Sequence, residues 1–277
     1  MTPEDMELLA ALARARAGLK VDVDKTYLVE SRLSPLARRE GFDSIEAMIT
    51  ALRARREERL IWAVVEALTF NDTSFFRDRD IFAHLRDAVL PALSKIRRDQ
   101  PIRIWSAACA TGQEVYSLAM ASGESRDVEP GAKFEFFGSD LSERCLEKAQ
   151  SGLYTQFEVQ RGLPIKQLVK HFTNQDDTWE ISPRIRQSVR WKRINLLSDL
   201  SVLGRFDVIL LRHVLADLEP SLHGRILENL IALMPDDGVL VLSPDDSLSG
   251  GVEALLQRTD RPGVFRRSSA AAQEAAA

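Results

Sequence analysis

Pro101-Ile-Arg-Ile-Trp-Ser-Ala-Ala-Cys-Ala-Thr-Gly-Gln-Glu-Val-Tyr-Ser-Leu-Ala-Met120 reads as a short apolar strand, a loop of small residues and an amphipathic helix. Ile102, Ile104 and Trp105 are strand formers, and the side chains from Ser106 to Ala110 are too small to block an approaching ligand. Thr111-Gly112 gives a sharp exit into a helix whose inner face carries Val115, Leu118 and Ala119. A tight turn of this kind, at the carboxyl end of the first strand of an open sheet, is where nucleotide-like ligands settle over backbone N–H groups. Close helix–strand packing also demands small residues, so the loop alone leaves both readings open.

Outward from this stretch the chain alternates strand and helix. Lys133-Phe-Glu-Phe-Phe-Gly-Ser-Asp140 is the second strand, and Ser142 to Gln150 a capped helix. Arg205 to Val214 is an almost unbroken apolar run, as expected of a parallel strand buried on both faces. Pro220 to Met234 follows as a helix and Val239 to Ser243 as a further strand. Between Gly152 and Leu197 the rhythm breaks, and Trp179-Glu-Ile, Ile185-Arg-Gln and Val189-Arg-Trp read as short antiparallel strands. Residues 1–70 read as helices throughout, from a Thr2 cap with Pro3 at the first helical position, and residues 71–98 as a linker and helix. The remainder, 99–267, forms the α/β domain, and 268–277 is a low-complexity tail expected to be disordered.

Composition bounds the possibilities. With 277 residues, 45% of them hydrophobic and 28% charged, the chain has ample core for one large and one smaller soluble domain. A net charge of −4 and a pI near 5.7 argue against general nucleic-acid binding. Cys109 and Cys145 offer neither metal-ligand spacing nor a disulfide framework and fit a reducing cytoplasm. The acidic start Met1-Thr-Pro-Glu-Asp-Met6 lacks the pattern of a signal peptide, and no apolar run reaches the length of a membrane span.

Asp140, at the tip of the second strand, is placed to accept hydrogen bonds from ribose hydroxyls, or to cap the helix that begins near Leu141. No Gly-x-Gly-x-x-Gly array accompanies it, so a ribose ligand without phosphates, such as S-adenosylmethionine, fits better than a dinucleotide. Before the sheet, Asn71-Asp-Thr-Ser-Phe-Phe-Arg77 sets two aromatics among polar groups. A cap with Phe75 and Phe76 in the core leaves Asn71 and Arg77 unexplained.

These motifs, with Gly138-Ser-Asp-Leu-Ser-Glu-Arg-Cys-Leu-Glu-Lys-Ala149 and Asn195-Leu-Leu197, occur in an order that resembles the chemotaxis receptor methyltransferases of the CheR type. The resemblance runs from the N-terminal helices to about Leu248. It implies a doubly wound, Rossmann-like methyltransferase sheet with a small antiparallel β-subdomain inserted at about 155–193, preceded by an all-helical domain. It implies S-adenosylmethionine as methyl donor, S-adenosylhomocysteine as product, and glutamates on the cytoplasmic helices of a chemoreceptor as acceptors, in the cytoplasm and without membrane insertion. Asn71, Thr73 and Arg77 are then expected to border the donor, and Glu114 to reach its methionine. Asp140 is expected to hold the ribose, Asn195 and Leu196 to flank the adenine, and Arg212 with His213 to line the floor. Arg77 is placed to orient the acceptor carboxylate, or alternatively to form an interdomain salt bridge.

The departures fall on the acceptor side. After the central strand the family usually reads Arg-Asn-Val-x-Ile-Tyr-Phe, where this chain has Arg212-His-Val-Leu-Ala-Asp-Leu218. His213 replaces the Asn, and Asp217 the Tyr expected to face the methyl group. Asp217 thus introduces a carboxylate that would repel a glutamate anion unless Arg77 or Arg212 neutralises it. Three readings stay open: an active glutamate methyltransferase, a divergent regulatory binder of the donor or its product, and a methyltransferase with another acceptor. Arg32, Arg38, Arg39, Arg53, Arg55, Arg56 and Arg59 are candidates for docking an acidic helix, or a solvated face balanced by Glu40, Glu46, Glu57 and Glu58.

Overall fold

Helix α1 (Pro3–Ala17) starts with a reciprocal capping box, in which the Thr2 hydroxyl accepts from the Asp5 N–H and the Asp5 carboxylate accepts from the Thr2 N–H. It stops at Gly18, which takes the left-handed conformation at φ +68°. Helices α2 (Thr26–Arg39), α3 (Ile45–Arg55) and α4 (Glu58–Ala67) follow. In this computed structural model, residues 1–268 are described except 56, 247, 249 and 250. Arg56 and the tail from residue 269 onward therefore lie outside the described residues.

The apolar stripes of these helices, among them Leu9, Leu33, Ile49 and Val64, are buried in one cluster with Trp105, Ile209, Leu211 and Leu230. The helical domain thus closes over one face of the large sheet and shares its core. After residues 69–78, which lack regular structure, come α5 (Arg79–His84), a π-helical turn (Leu85–Val89) and α6 (Leu90–Ile96).

The α/β region then runs β1 (Ile102–Ala107), α7 (Gln113–Ser122), β2 (Phe134–Asp140) and α8 (Glu143–Ser151). Next come β3 (Leu153–Thr155), α9 (Gln156–Gln160), α10 (Ile165–His171), β4 (Phe172–Gln175), β5 (Thr178–Ile181) and α11 (Pro183–Arg186). The chain finishes with β6 (Val189–Arg193), β7 (Val208–Leu210), α12 (Pro220–Ala232), β8 (Val239–Val241), β9 (Leu256–Arg258) and β10 (Val264–Arg267). The large sheet has the order β6-β2-β1-β7-β8-β10-β9, parallel from β6 to β8, with β10 and β9 antiparallel. Alternation along β1 sends Ile102 and Ile104 to one face and Trp105 and Ala107 to the other. Strand order reverses at β1, with β2 on one side and β7 on the other. The crevice for a ligand therefore opens at the carboxyl ends of these three strands.

The expected doubly wound sheet with an inserted antiparallel one is present, and three details differ. The small sheet, β3-β5-β4, spans residues 153–181. Val189-Arg-Trp191, expected within it, instead forms β6 and pairs parallel with β2 at the edge of the large sheet. The reason is Trp191, whose indole lies on Gly138, where any Cβ would collide with the ring, and packs edge-on against Tyr116. Ile185-Arg-Gln187 is no strand either. Pro183 at the first helical position starts a turn in which the Ser182 carbonyl accepts from the Ile185 and Arg186 N–H groups. The run from Arg205 to Val214 gives only the short β7, because the backbone bends away at His213, φ +58°.

Candidate functional site

The small-residue loop leaves β1 in an unusual conformation. Ala108 and Ala110 both take positive φ, +56° and +47°, which costs free energy for residues with a Cβ. Two bonds to the end of β2 hold it: the Cys109 N–H donates to the Ser139 carbonyl and the Ala110 N–H to Asp140 Oδ2, each at 2.8 Å. At φ +90°, Gly112 then turns the chain into α7, where an added Cβ would meet Ala149 and Trp191 at 2.9 Å.

Asp140 is 5% exposed. Burial raises its pKa above the ordinary carboxylate value, and the N–H groups of Ser142 and Ala110 pull it back. It does not cap α8. That role belongs to Ser142, whose hydroxyl accepts from the Cys145 N–H, while Asp140 Oδ1 accepts from the Ser142 N–H. Each carboxylate oxygen keeps a lone pair beyond these bonds.

Beneath the loop runs a chain of ions. Glu114 accepts from the Ser106 hydroxyl at 2.8 Å and from Arg212 Nη1 at 2.7 Å. The Arg212 side chain, 1% exposed, donates through Nη2 to Asp78 Oδ2 and to the Arg77 carbonyl. His213 Nε2 lies 2.9 Å from the same Asp78 oxygen. Burial works against the Asp78 charge, but His213 and Arg212 outweigh it and hold its pKa below the usual value.

Residues 69–74, Arg77, Glu114, Asp140 and residues 194–196 line one cleft with 212–214 and Asp217, so every residue expected to border the donor comes together there, while the described N-terminal arginines do not line it. Their roles differ in detail. The Asn195 amide is committed to the helical domain, donating to the Arg16 carbonyl at 2.6 Å and accepting from the Leu197 N–H. Asn71 donates to the Thr69 hydroxyl. Arg77 makes no interdomain salt bridge; Nη1 donates to the Asp72 carbonyl at 3.1 Å and lies 3.6 Å from the Asp72 carboxylate within the same linker, and its other N–H groups bond to none of the described residues.

Asp217 is neutralised by neither Arg77 nor Arg212: neither pairs with it, and Arg212 is engaged by Glu114 and Asp78. Burial raises its pKa, and the opposing cation is Arg32, reaching over from α2. The Arg32 guanidinium sits 3.7 Å from the Phe70 ring centroid and donates to the Leu68 carbonyl. Of the other N-terminal arginines, Arg59 pairs with Glu40 and Glu57, Arg39 with Glu40, and Arg53 with Asp5.

Sequence reasoning missed Ala17 and Leu19, which carry α1 into the cleft wall. Leu19 bridges Leu218, and the Gly18 carbonyl accepts from the Glu219 N–H. The readable signal was a helix-ending glycine followed directly by an apolar residue. Asp78 was missed as well, although it directly follows Arg77 in the motif.

The donor set suits an adenosyl sulfonium compound. Asp140 offers free lone pairs to a diol beside walls of Ala108, Leu141 and Leu196, and Glu114 offers negative charge to a cationic tail. Residues 71–262 match the family model described as the CheR methyltransferase SAM-binding domain, and residues 4–69 the one described as the CheR methyltransferase all-alpha domain. The chain is 32% identical over 268 residues to chemotaxis protein methyltransferase 1 of Pseudomonas aeruginosa, covering 95% of this chain and 97% of that one. It is also 32% identical over 254 residues to chemotaxis protein methyltransferase 1 of Vibrio cholerae, covering 91% and 92%. The Escherichia coli chemotaxis protein methyltransferase is 30% identical over 246 residues, covering 87% and 83%. With a helical domain that closes the cleft, a parallel sheet that opens it, and the two family models matched over most of the chain, this chain belongs to the CheR methyltransferase family and uses S-adenosylmethionine.

Proposed function

We propose that the protein methylates glutamate side chains on the cytoplasmic helices of a chemoreceptor, working in the cytoplasm. The observation that carries this reading is Arg77, a cation on the cleft wall with N–H groups free for an incoming carboxylate. A planar guanidinium fork matches a carboxylate in two parallel hydrogen bonds. The names of the relatives support the chemotaxis setting.

When bound, S-adenosylmethionine supplies a methyl group on a positively charged sulfur, and the sulfur departs with the electron pair of the broken C–S bond. A glutamate carboxylate is already ionised at neutral pH and needs no general base to attack. The protein's task is alignment and exclusion of water. Asp140 is assigned the ribose, and Glu114, fixed by Ser106 and Arg212, the positively charged end of the donor. Arg77 holds the acceptor oxygen in line. Arg32 offsets the Asp217 carboxylate, which otherwise opposes a second anion.

Receptor-containing membranes incubated with methyl-labelled donor test the proposal. Label that is released as methanol by mild base, and lost when receptor glutamates are changed to alanine, is the expected result. Base-stable label, or label on another component, would overturn the glutamate assignment.

A further inference from the structure

Residues 69–78 form a strap across the cleft, and three contacts fix it to the inserted subdomain. Phe75, fully buried, plants its ring between Tyr154 of β3 and Phe172 of β4, at centroid distances of 5.0 and 5.5 Å. Gly162, just beyond α9, has φ +95°, and a Cβ there would collide with the Phe75 carbonyl oxygen. Its neighbour Arg161 forms a two-pronged ion pair with Asp72, Nη1 to Oδ1 at 2.5 Å and Nη2 to Oδ2 at 2.9 Å. The hydrogen bonds from Arg161 hold the Asp72 carboxyl below its usual pKa.

The subdomain also reaches the opposite wall. The Tyr154 hydroxyl donates to the Thr111 carbonyl at 2.8 Å, in the turn that follows the small-residue loop. One aromatic residue therefore touches both the strap and the loop. Phe76 and Asp78 take positive φ, +49° and +60°, so the strap is held in a conformation it would not adopt unaided. Ser117, donated to by the Phe76 N–H, and Arg212, bound to Asp78, secure its far end. Neither Arg161 nor Gly162 lines the cleft.

We infer that Arg161 and Gly162 are positioning residues that hold the strap closed over the donor, so that the inserted subdomain sets how long S-adenosylmethionine or its product stays bound. The inference rests on the cleft being the donor site. Opening the cleft at Asn71–Ser74 requires the Asp72–Arg161 pair to part, while Gly162 backs the strap at the Phe75 carbonyl. The aromatic anchor at Phe75 stays in place, which limits the movement to the segment ahead of it. By linkage, whatever moves the 161–162 corner alters donor affinity, and donor occupancy alters that corner by the same factor.

The test uses the full chain and S-adenosylhomocysteine, with affinity read by calorimetry, release by stopped flow and thermal midpoint alongside. Asp72 and Arg161 are partly exposed, 58% and 44%, so Arg161→Glu leaves the fold intact. It is expected to speed release about two- to five-fold, in keeping with the strength of exposed ion pairs. Arg161→Lys, which keeps a cation opposite Asp72 and leaves the cleft lining unchanged, is expected to release within about two-fold of wild type, a rescue that a merely structural role does not produce. Gly162→Ala is expected to act more strongly, about ten-fold or more, because the strap itself must shift. Unchanged affinity and release in Arg161→Glu and Gly162→Ala would overturn the inference, as would an Arg161→Lys variant no slower in release than Arg161→Glu. Asp140→Ala separates the two readings. If it binds normally, the cleft assignment fails. If it binds weakly while Arg161→Glu and Gly162→Ala bind normally, only the strap inference fails.

Discussion

Arg212 and Glu114 meet at 2.7 Å under the floor of the cleft, the arginine side chain 1% exposed and the glutamate 14%. So deeply placed a cation depends on its partners, because removing one leaves charge that water cannot reach. Glu114→Gln keeps the shape and leaves Arg212 with Asp78 alone. A loss of about 1–3 kcal/mol is expected in urea unfolding, together with weaker donor binding. Wild-type stability in this variant would show that Asp78 suffices.

Asp140→Ala removes the acceptor for the Ala110 and Ser142 N–H groups and the proposed ribose contact together. S-adenosylhomocysteine affinity is expected to fall about 10- to 100-fold, the scale of one charge-assisted hydrogen bond or slightly more. Undiminished affinity in a folded variant would place the ribose elsewhere.

Arg77→Lys keeps the charge and loses the planar fork. Turnover is expected to drop by about ten-fold or more while the KM for the donor changes little. Equal losses in both would confine Arg77 to the donor. A loss of stability with neither would make its contact with Asp72 its whole role.

The stability effect of Asp217 has a definite sign. Its folded pKa is raised by burial, so the folded state favours the neutral acid. The neutral form costs nothing below the unfolded value of about 3.8, and the stability it represents is lost as pH rises through the raised folded value. Asp217→Asn is therefore expected to melt higher than wild type at pH 7, by on the order of 1–2 °C, with the gap closing toward pH 4. Asp217→Tyr is expected to increase methyl transfer to receptor glutamate at neutral pH and to leave donor affinity unaltered. A crippled Asp217→Tyr enzyme would instead identify Asp217 as selecting a different acceptor.

What could be read from the residues alone follows from what local patterns encode. The strand-loop-helix at 101–120 and Asp140 announce themselves through period and side-chain size, and the structure puts both where the ligand crevice opens. The pairing direction of Val189–Arg193 is not local. Alternation looks the same in parallel and antiparallel strands, and only the fit of Trp191 on Gly138 decides it. The same holds for the cation beside Asp217. Arg212 shares the sequence motif of Asp217 and Arg77 belongs to the cleft-lining linker, yet Arg32, from another domain, is the one whose charge reaches it.

The bridge between Leu19 and Leu218, with the Arg16 carbonyl accepting from Asn195, has a practical corollary for protein engineering. The all-helical region is not a detachable cassette. A truncation at residue 70 would strip away part of the ligand-facing wall and expose Trp105 and Ile209, which share its core. Chimaeras exchanging this region between relatives must carry matched partners at 16–19 and at 195 and 218, or the graft inherits a breached pocket.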